Sequence, residues 1–416
     1  MRHFAPGLCP GERSGGTGDG DGASPMNFWQ SLTRPIIGMA PMDGVTDATF
    51  RYTVAMHGKP DVSFTEFTHV HDICRGPEFL LDSLIYHEAE RPIIAQVYGK
   101  EPDFFYQSAH AVCELGFDGL DINMGCPSRS VASSGSGAGL IRTPDVAQAI
   151  MRAAKQGIAD WTAGQTLEGS GLKPGRVAAI WRMNERRQDA RPLVRHTIPL
   201  SVKTRLGYDV VVVDRWIEHL LMERPAVISL HGRTLQQMYR GEADWNAIGR
   251  AAKIVRGSGT LLFGNGDVHN YHDVVRRVRD TGVDGVLVGR AALGAPWFFR
   301  QKEEARLVLQ QHRSEEGPEP WVPPLDDRFE MLLDHARRFE AACGQGQFRR
   351  MRKHLGWYCK GFPHAASLRA DMFRVSSVAD LEQVLADFRM RSASLTEVSD
   401  QMPLEPLVSA EPSPTL

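Results

Sequence analysis

Eight short apolar runs, spaced along the chain and separated by segments of helical periodicity, restrict what this sequence can fold into. They fall at residues 35–40, 61–65, 92–97, 119–123, 198–204, 226–231, 260–264 and 284–288. Helix candidates lie between them at 102–115, 144–154, 212–223 and 272–281. Strands that alternate with helices form βα units around a parallel sheet, and eight such units close into a barrel. In the segment 212–223, Val212, Trp216, Leu220 and Met222 lie largely on one side, whereas Asp214, Arg215, Glu218 and Glu223 lean the other way. That division suits a helix of the outer ring. The expected fold is α/β: a (β/α)8 TIM barrel followed by a small C-terminal helical domain.

Residues 1–28, rich in Gly, Ser, Asp and Pro and without apolar periodicity, cannot offset the entropy of ordering and are expected to be a disordered N-terminal tail. Met26-Asn27-Phe28-Trp29 opens the first foldable segment, which makes Met26 a candidate start. The barrel is expected over 29–315, with an insertion at 157–196 that is Gly-rich up to Gly175 and helical from Arg176 to Gln188. A Pro-rich linker is expected at 316–325, a helical domain at 326–391 with helices at 326–342, 346–360 and 378–388, and a loose acidic tail at 392–416. With 416 residues, 42% of them hydrophobic, the chain is long enough for both folded parts.

Six cysteines (Cys9, Cys74, Cys113, Cys126, Cys343 and Cys359) include no Cys-x-x-Cys pair, which argues against an iron–sulfur module or a structural zinc site. No metal is expected, and a reduced, cytoplasmic setting fits. No apolar stretch approaches the roughly 18 residues of a membrane span. The net charge of −2 shows no overall basic excess, so any nucleic-acid surface must be local. Two segments qualify: Arg176, Arg182, Arg186, Arg187, Arg191 and Arg195 in the insertion, and Arg349, Arg350, Arg352, Lys353 and Lys360 beyond the linker. Taken alone, each is more often a solvated face than a binding surface.

Residues just past the strands of a parallel barrel form its active-site rim. Here they are Pro41-Met42-Asp43, Gln96, Asn123 and Cys126, Lys203 and Arg205, His231 and Arg233, Asn265-Gly266-Asp267, and Gly289-Arg290. Each has an ordinary structural reading, as a core amide, a surface lysine, a buried histidine or a turn. Their joint placement suits a flat, polar, redox-active ring, with glycines after the last two strands for a phosphate. Flavin mononucleotide meets both demands: Lys203 would stabilise the anionic reduced ring, Gln96 would bond its edge, and Gly266, Gly289 and Arg290 would hold the phosphate. Cys126, in Asn123-Met124-Gly125-Cys126-Pro127, is a lone thiol on a rigid turn.

These motifs resemble the tRNA-dihydrouridine synthases. The matching segments are Ala40-Pro41-Met42, Thr46-Asp47 with Phe50-Arg51, Thr65-Glu66, Gln96-Val97 with Gly99, Asp121 to Pro127, Gly137-Ala138, Lys203-Thr204-Arg205, His231-Gly232-Arg233-Thr234, Asn265-Gly266-Asp267, Gly289-Arg290 and Arg352-Lys353-His354 with Trp357-Tyr358. The resemblance implies an FMN barrel and a helical domain that together grip tRNA, reducing a D-loop uridine with NADPH, or NADH, as reductant. It implies Cys126 as proton donor, flavin contacts from Pro41, Met42, Asp43, Gln96, Lys203, His231, Asn265, Gly266, Asp267, Gly289 and Arg290, and uracil contacts from Asn123, Lys203 and Arg205. Arg349, Arg350, Arg352 and Lys353 are the candidates for RNA phosphates, with Arg182, Arg186 and Arg187 of the insertion a bolder choice. Two features depart from the family: Arg129 and Ser130 stand where two basic residues often follow Cys-Pro, and the insertion has no counterpart.

Uracil's C5=C6 bond is conjugated to a carbonyl, so hydride arriving at C6 builds enolate character that a proton at C5 must quench. A thiol near its reference pKa of about 8.5 remains protonated at neutral pH and can donate it. The main alternative is a small-molecule FMN pyrimidine oxidoreductase of dihydroorotate or dihydropyrimidine dehydrogenase type, and a second is a non-catalytic tRNA binder. A monomer is expected.

Overall fold

Ile, Val and Leu dominate the strand segments, and all the strands pair in parallel. The computed structural model describes residues 27–187, 189, 191–311 and 317–401. Of the expected tails, residues 1–26 and 402–416 lie outside the described residues, as does residue 316 of the linker and Gln188 of the insertion. The strands are β1 (Ile36–Met39), β2 (Ser63–Phe64), β3 (Thr68–His69), β4 (Ile93–Tyr98), β5 (Gly119–Met124), β6 (Leu200–Arg205), β7 (Val227–His231), β8 (Leu261–Asn265) and β9 (Gly285–Val288). Eight correspond to the expected runs. The ninth, β3, is a two-residue addition that pairs with the end of β4.

The order β1-β9-β8-β7-β6-β5-β4-β2 comes round to its start, because the Met39 amide donates to the Val62 carbonyl and the Asp61 amide to that of Ile37, both at 3.0 Å. The ring is filled in layers, as period-2 alternation requires. Ile36, Val62, Phe64, Ile94, Val227, Leu261, Phe263 and Leu287 form the inner apolar layer, and Trp29 stacks against it, 5.5 Å from Phe263. Two residues further along β4 the interior turns polar: Gln96, Asp121 and Ser201 lie directly opposite one another on β4, β5 and β6. Outside the ring, the outer faces of the strands and the apolar faces of the helices make the larger core. Asp47, Asp244 and Asn270 cap their helices by accepting backbone amides at 2.8–2.9 Å, a role suited to these side chains.

The helix expected at 144–154 continues to Thr162. It is amphipathic throughout, burying Gly157, Ile158 and Trp161, so the insertion begins later than the Gly content suggests. A second helix, Pro174–Arg186, then packs outside the barrel against the turn Glu78–Leu84.

Beyond the linker come helices Leu325–Cys343, Arg352–Tyr358, Ala365–Met372 and Val378–Gln401, with a 3-10 turn at Gln345–Met351. The helix Ala365–Met372 was not expected. The last helix runs past residue 391, where a loose tail was expected, because no glycine or proline interrupts the chain between Val378 and Pro403. This unit has its own core around Phe329, Leu332, Phe339, Phe348, Leu355 and Leu385. It docks on the barrel helix Ala48–His57: Phe50 lies 5.4 and 5.9 Å from the rings of His354 and His335.

Candidate active site

A cavity of about 490 Å³ opens at the C-terminal ends of the strands. Pro41, Met42 and Asp43 line it from the turn after β1, Asn123 and Cys126 from β5, and Lys203 and Arg205 from β6. His231 enters from β7, Asn265, Gly266 and Asp267 from β8, and Gly289 and Arg290 from β9. Residues spread over 250 positions of sequence thus converge because successive parallel strands end on one face.

Gln96 is the exception. It is fully buried beneath the cavity and does not line it. Its Nε2 donates to Asp121 Oδ2 at 2.7 Å and its Oε1 accepts from Asn123 Nδ2 at 3.0 Å, so both ends of the amide are engaged within the protein. In this arrangement Gln96 orients Asn123.

Asn123 in turn shapes the turn that carries the thiol: its Oδ1 accepts from the Gly125 and Cys126 amides at 3.0 and 2.8 Å. Gly137, at φ +55, lets the next loop close over Cys126, where an added Cβ would stand 3.2 Å from Cys126 Cβ. Burial, with Asp43 nearby, pushes the Cys126 thiol up, against the opposing pull of the Ser128 amide, Arg205 and Lys203. A buried thiol held protonated is suited to giving a proton and poorly suited to acting as a nucleophile.

The adjoining wall, from β6 onward, is cationic. Burial, reinforced by Arg205, pushes Lys203 down to about 8. Arg205 grips the Gly125 carbonyl at 2.7 Å and the Thr234 carbonyl at 3.1 Å. His231 is held well below its ordinary value by burial and by Arg205, Lys203 and Arg233, so the ring is neutral, and its buried Nδ1 has no partner. Asp267 is an anchor: one oxygen accepts from Arg233 Nη2 at 2.6 Å and the Ala243 amide at 2.7 Å, the other from Arg290 Nη2 at 2.9 Å. Gly266, at φ +119, makes the turn that delivers this carboxylate.

The two basic segments part company. Arg182 and Arg186 pair with Glu78, Arg186 reaches Asp82, and Arg187 and Arg191 pair with Glu88. Arg176 donates to the Gly76 carbonyl, and Arg195 lies over Trp161. Four of the insertion's arginines thus meet the barrel's own acids, and Arg176 and Arg195 meet a carbonyl and a ring. Beyond the linker, Arg352 donates to the Val375 carbonyl at 2.8 Å and Lys353 to the Gly44 carbonyl. Both serve the fold, Lys353 by tying the helical unit to the turn after β1. Arg349 and Arg350 are exposed and make no ion pair among the described residues.

Several lining residues were not anticipated: Phe67, Met238 and Tyr239 above all. Tyr239 is 66% exposed on the rim, on a loop whose carbonyls Arg205 and Arg233 hold. Phe67 follows Thr65-Glu66, a signal that was legible; Tyr239 has no local pattern to mark it.

The profile of the dihydrouridine synthase family matches residues 38–160 and 188–393. The chain belongs to that family. A probable tRNA-dihydrouridine synthase 2 of Bacillus subtilis is 32% identical over 370 residues, covering 88% of this chain and 97% of its own. A probable tRNA-dihydrouridine synthase of Staphylococcus aureus strain COL is 31% identical over 368 residues, 87% of this chain and 95% of its own. Among solved structures, morphinone reductase in complex with tetrahydroNAD aligns over 70% of this chain and 90% of its own, at 12% identity and a TM-score of 0.36. The dihydrouridine synthase match breaks off between residues 160 and 188, where the insertion helix Pro174–Arg186 lies. No helix among the described residues is long and apolar enough to cross a membrane.

Proposed function

We propose that this chain reduces the C5=C6 bond of a uridine in the tRNA D-loop to 5,6-dihydrouridine, with FMN and NADPH or NADH. The observation that carries this reading is the protonated Cys126 thiol beside Lys203 and Arg205 in one strand-end cavity. The cavity suits FMN. His231 brings a buried nitrogen without a partner among the described residues, Lys203 a desolvated cation, and Gly266, Gly289 and Arg290 the glycine turns and the cation that a phosphate would need. Pro41, Met42, Asp43, Asn265 and Asp267 complete the walls. When bound, FMN supplies hydride to C6 of the uracil and is recharged by the nicotinamide.

The chain's own residues handle the proton. The second N–H of Asn123, with Lys203 and Arg205, holds the uracil, and the Cys126 S–H bond breaks as the C5–H bond forms. The thiolate left behind sits beside Arg205 and Lys203, which stabilise it until solvent returns a proton. The base must leave its stack to reach this depth, and a loop uridine does so at least cost. Arg349 and Arg350 of the helical unit, exposed and without an ion pair among the described residues, lead the candidates for RNA phosphates, with Arg352 and Lys353 beside them.

The test is mass-spectrometric mapping of dihydrouridine in unmodified tRNA incubated with the purified protein, FMN and NADPH. A D-loop uridine heavier by two hydrogens is expected. Reduction of free orotate or uracil without tRNA would favour the small-molecule alternative instead.

A further inference from the structure

The turn that bears Cys126 is connected to a carboxylate buried one layer below the cavity. Asp121 is fully buried and lies opposite Gln96 on one side and Ser201 on the other in the strand register. Its Oδ1 accepts from Ser201 Oγ at 2.6 Å and its Oδ2 from Gln96 Nε2 at 2.7 Å. Because an ionised carboxylate only accepts, Gln96 must turn its NH2 toward Asp121 and its oxygen toward Asn123. Asn123 must then offer its own NH2 to Gln96, leaving its oxygen for the Gly125 and Cys126 amides. Both amides therefore have one permitted orientation, fixed by the carboxylate at one end of the chain and by the Gly125 and Cys126 N–H donors at the other.

We propose that Asp121 is the positioning residue for Cys126: it anchors the buried end of a hydrogen-bond chain, Asp121 to Gln96 to Asn123, whose single polarity holds the turn that carries the thiol. Burial raises Asp121 to about 6, with Ser201, Gln96 and the Lys203 ammonium opposing, so it is ionised at neutral pH, as the chain requires. No other acid lines up to do this, since Asp43 and Asp267 stand on the cavity's rim and far wall. The consequence for turnover rests on the reading of Cys126 as proton donor; the consequence for the thiol's environment does not.

Inverting the polarity and restoring it is the decisive experiment. Asp121→Asn replaces an obligate acceptor by an amide whose NH2, turned toward Gln96, opposes donor to donor or drives Gln96 and Asn123 to flip against the Gly125 and Cys126 amides. Gln96→Glu places two acceptors face to face. The double variant restores an acceptor next to Asn123 and a donor beneath it. Alkylation of Cys126 by iodoacetamide is followed across pH by peptide-resolved mass spectrometry, on the flavin-saturated protein. Each single variant is expected to accelerate it about tenfold, the equivalent of one hydrogen bond, and to lower the apparent thiol pKa. The double variant should return both values toward wild type, as a loss of packing alone would not.

Wild-type alkylation in Asp121→Asn would overturn the proposal, as would a double variant that shows the sum of the single effects or does not fold. If Asp121→Asn alone fails to fold, the comparison of Gln96→Glu with the double variant carries the test. A wild-type protein that makes no dihydrouridine would defeat the functional reading while leaving this alkylation pattern intact.

Discussion

Two clusters of buried polar groups in this molecule are built in opposite ways. At the cavity, Asp121, Gln96 and Asn123 satisfy one another, and Asp267 satisfies Arg233 and Arg290. At the joint between barrel and helical unit, His335 and His354 are buried, and among the described residues all four ring nitrogens lack partners, as does the Tyr358 hydroxyl beside them. The first arrangement fixes side-chain direction, which chemistry at an atom requires. The second fixes only packing, and it holds while the imidazoles stay neutral.

Substitution at the satisfied cluster should alter chemistry or cofactor retention, and substitution at the unsatisfied one should alter only docking and its pH dependence. The largest effect is expected at Cys126→Ala, which should lower dihydrouridine formation by about 10²–10⁴ while flavin binding and flavin reduction by NADPH persist. An unchanged product yield would remove the thiol from the mechanism. On the cationic wall, Arg290→Ala should weaken FMN affinity by about tenfold to a hundredfold, read by flavin fluorescence titration, and Asp267→Asn should follow it at smaller size.

The joint should respond to acid. Burial lowers His335 from 6.5 to about 4, against the opposing fields of Asp47 and Asp334, and holds His354 well below its ordinary value, with His335, Lys353 and Arg350 adding and Asp47 opposing. Between pH 6.5 and about 4 the unfolded chain binds more protons than the folded one, so stability falls as pH falls through that window. For His335 the loss amounts to about 3 kcal/mol. His335→Phe should flatten the pH dependence of thermal unfolding, and an identical slope would show that the imidazole does not titrate there.

Smaller effects separate the two basic segments. Arg349→Glu with Arg350→Glu should reduce the salt slope of tRNA binding by about one to two. Arg182→Glu with Arg186→Glu should leave tRNA affinity within about twofold, because those guanidiniums already pair with Glu78 and Asp82. A changed salt slope in the second pair would return the insertion to the RNA surface.

The barrel was legible because its signal is local. An apolar run of five to seven residues between helical patterns reads as a buried parallel strand wherever its neighbours lie, and all eight runs contain strands. The site residues followed, since a strand's end is also a site's edge. Boundaries set by longer-range packing were less visible: the helix Pro144–Thr162 outran its expected end, and the last helix passed residue 391.

Residue types and their place after each strand were thus determined by the sequence itself, enough to assemble Cys126, Lys203, His231, Asp267 and Arg290 around one cavity. Only the tertiary structure decided that Gln96 faces Asp121 and Asn123, that Lys353 is tied to Gly44, that the insertion's arginines meet Glu78 and Glu88, and that Tyr239 stands on the rim. The reason is physical: hydrophobic periodicity is a property of neighbours along the chain. The partner of a charge or an amide is whatever group folding brings within 3 Å, and for Lys353 that group lies 309 residues away.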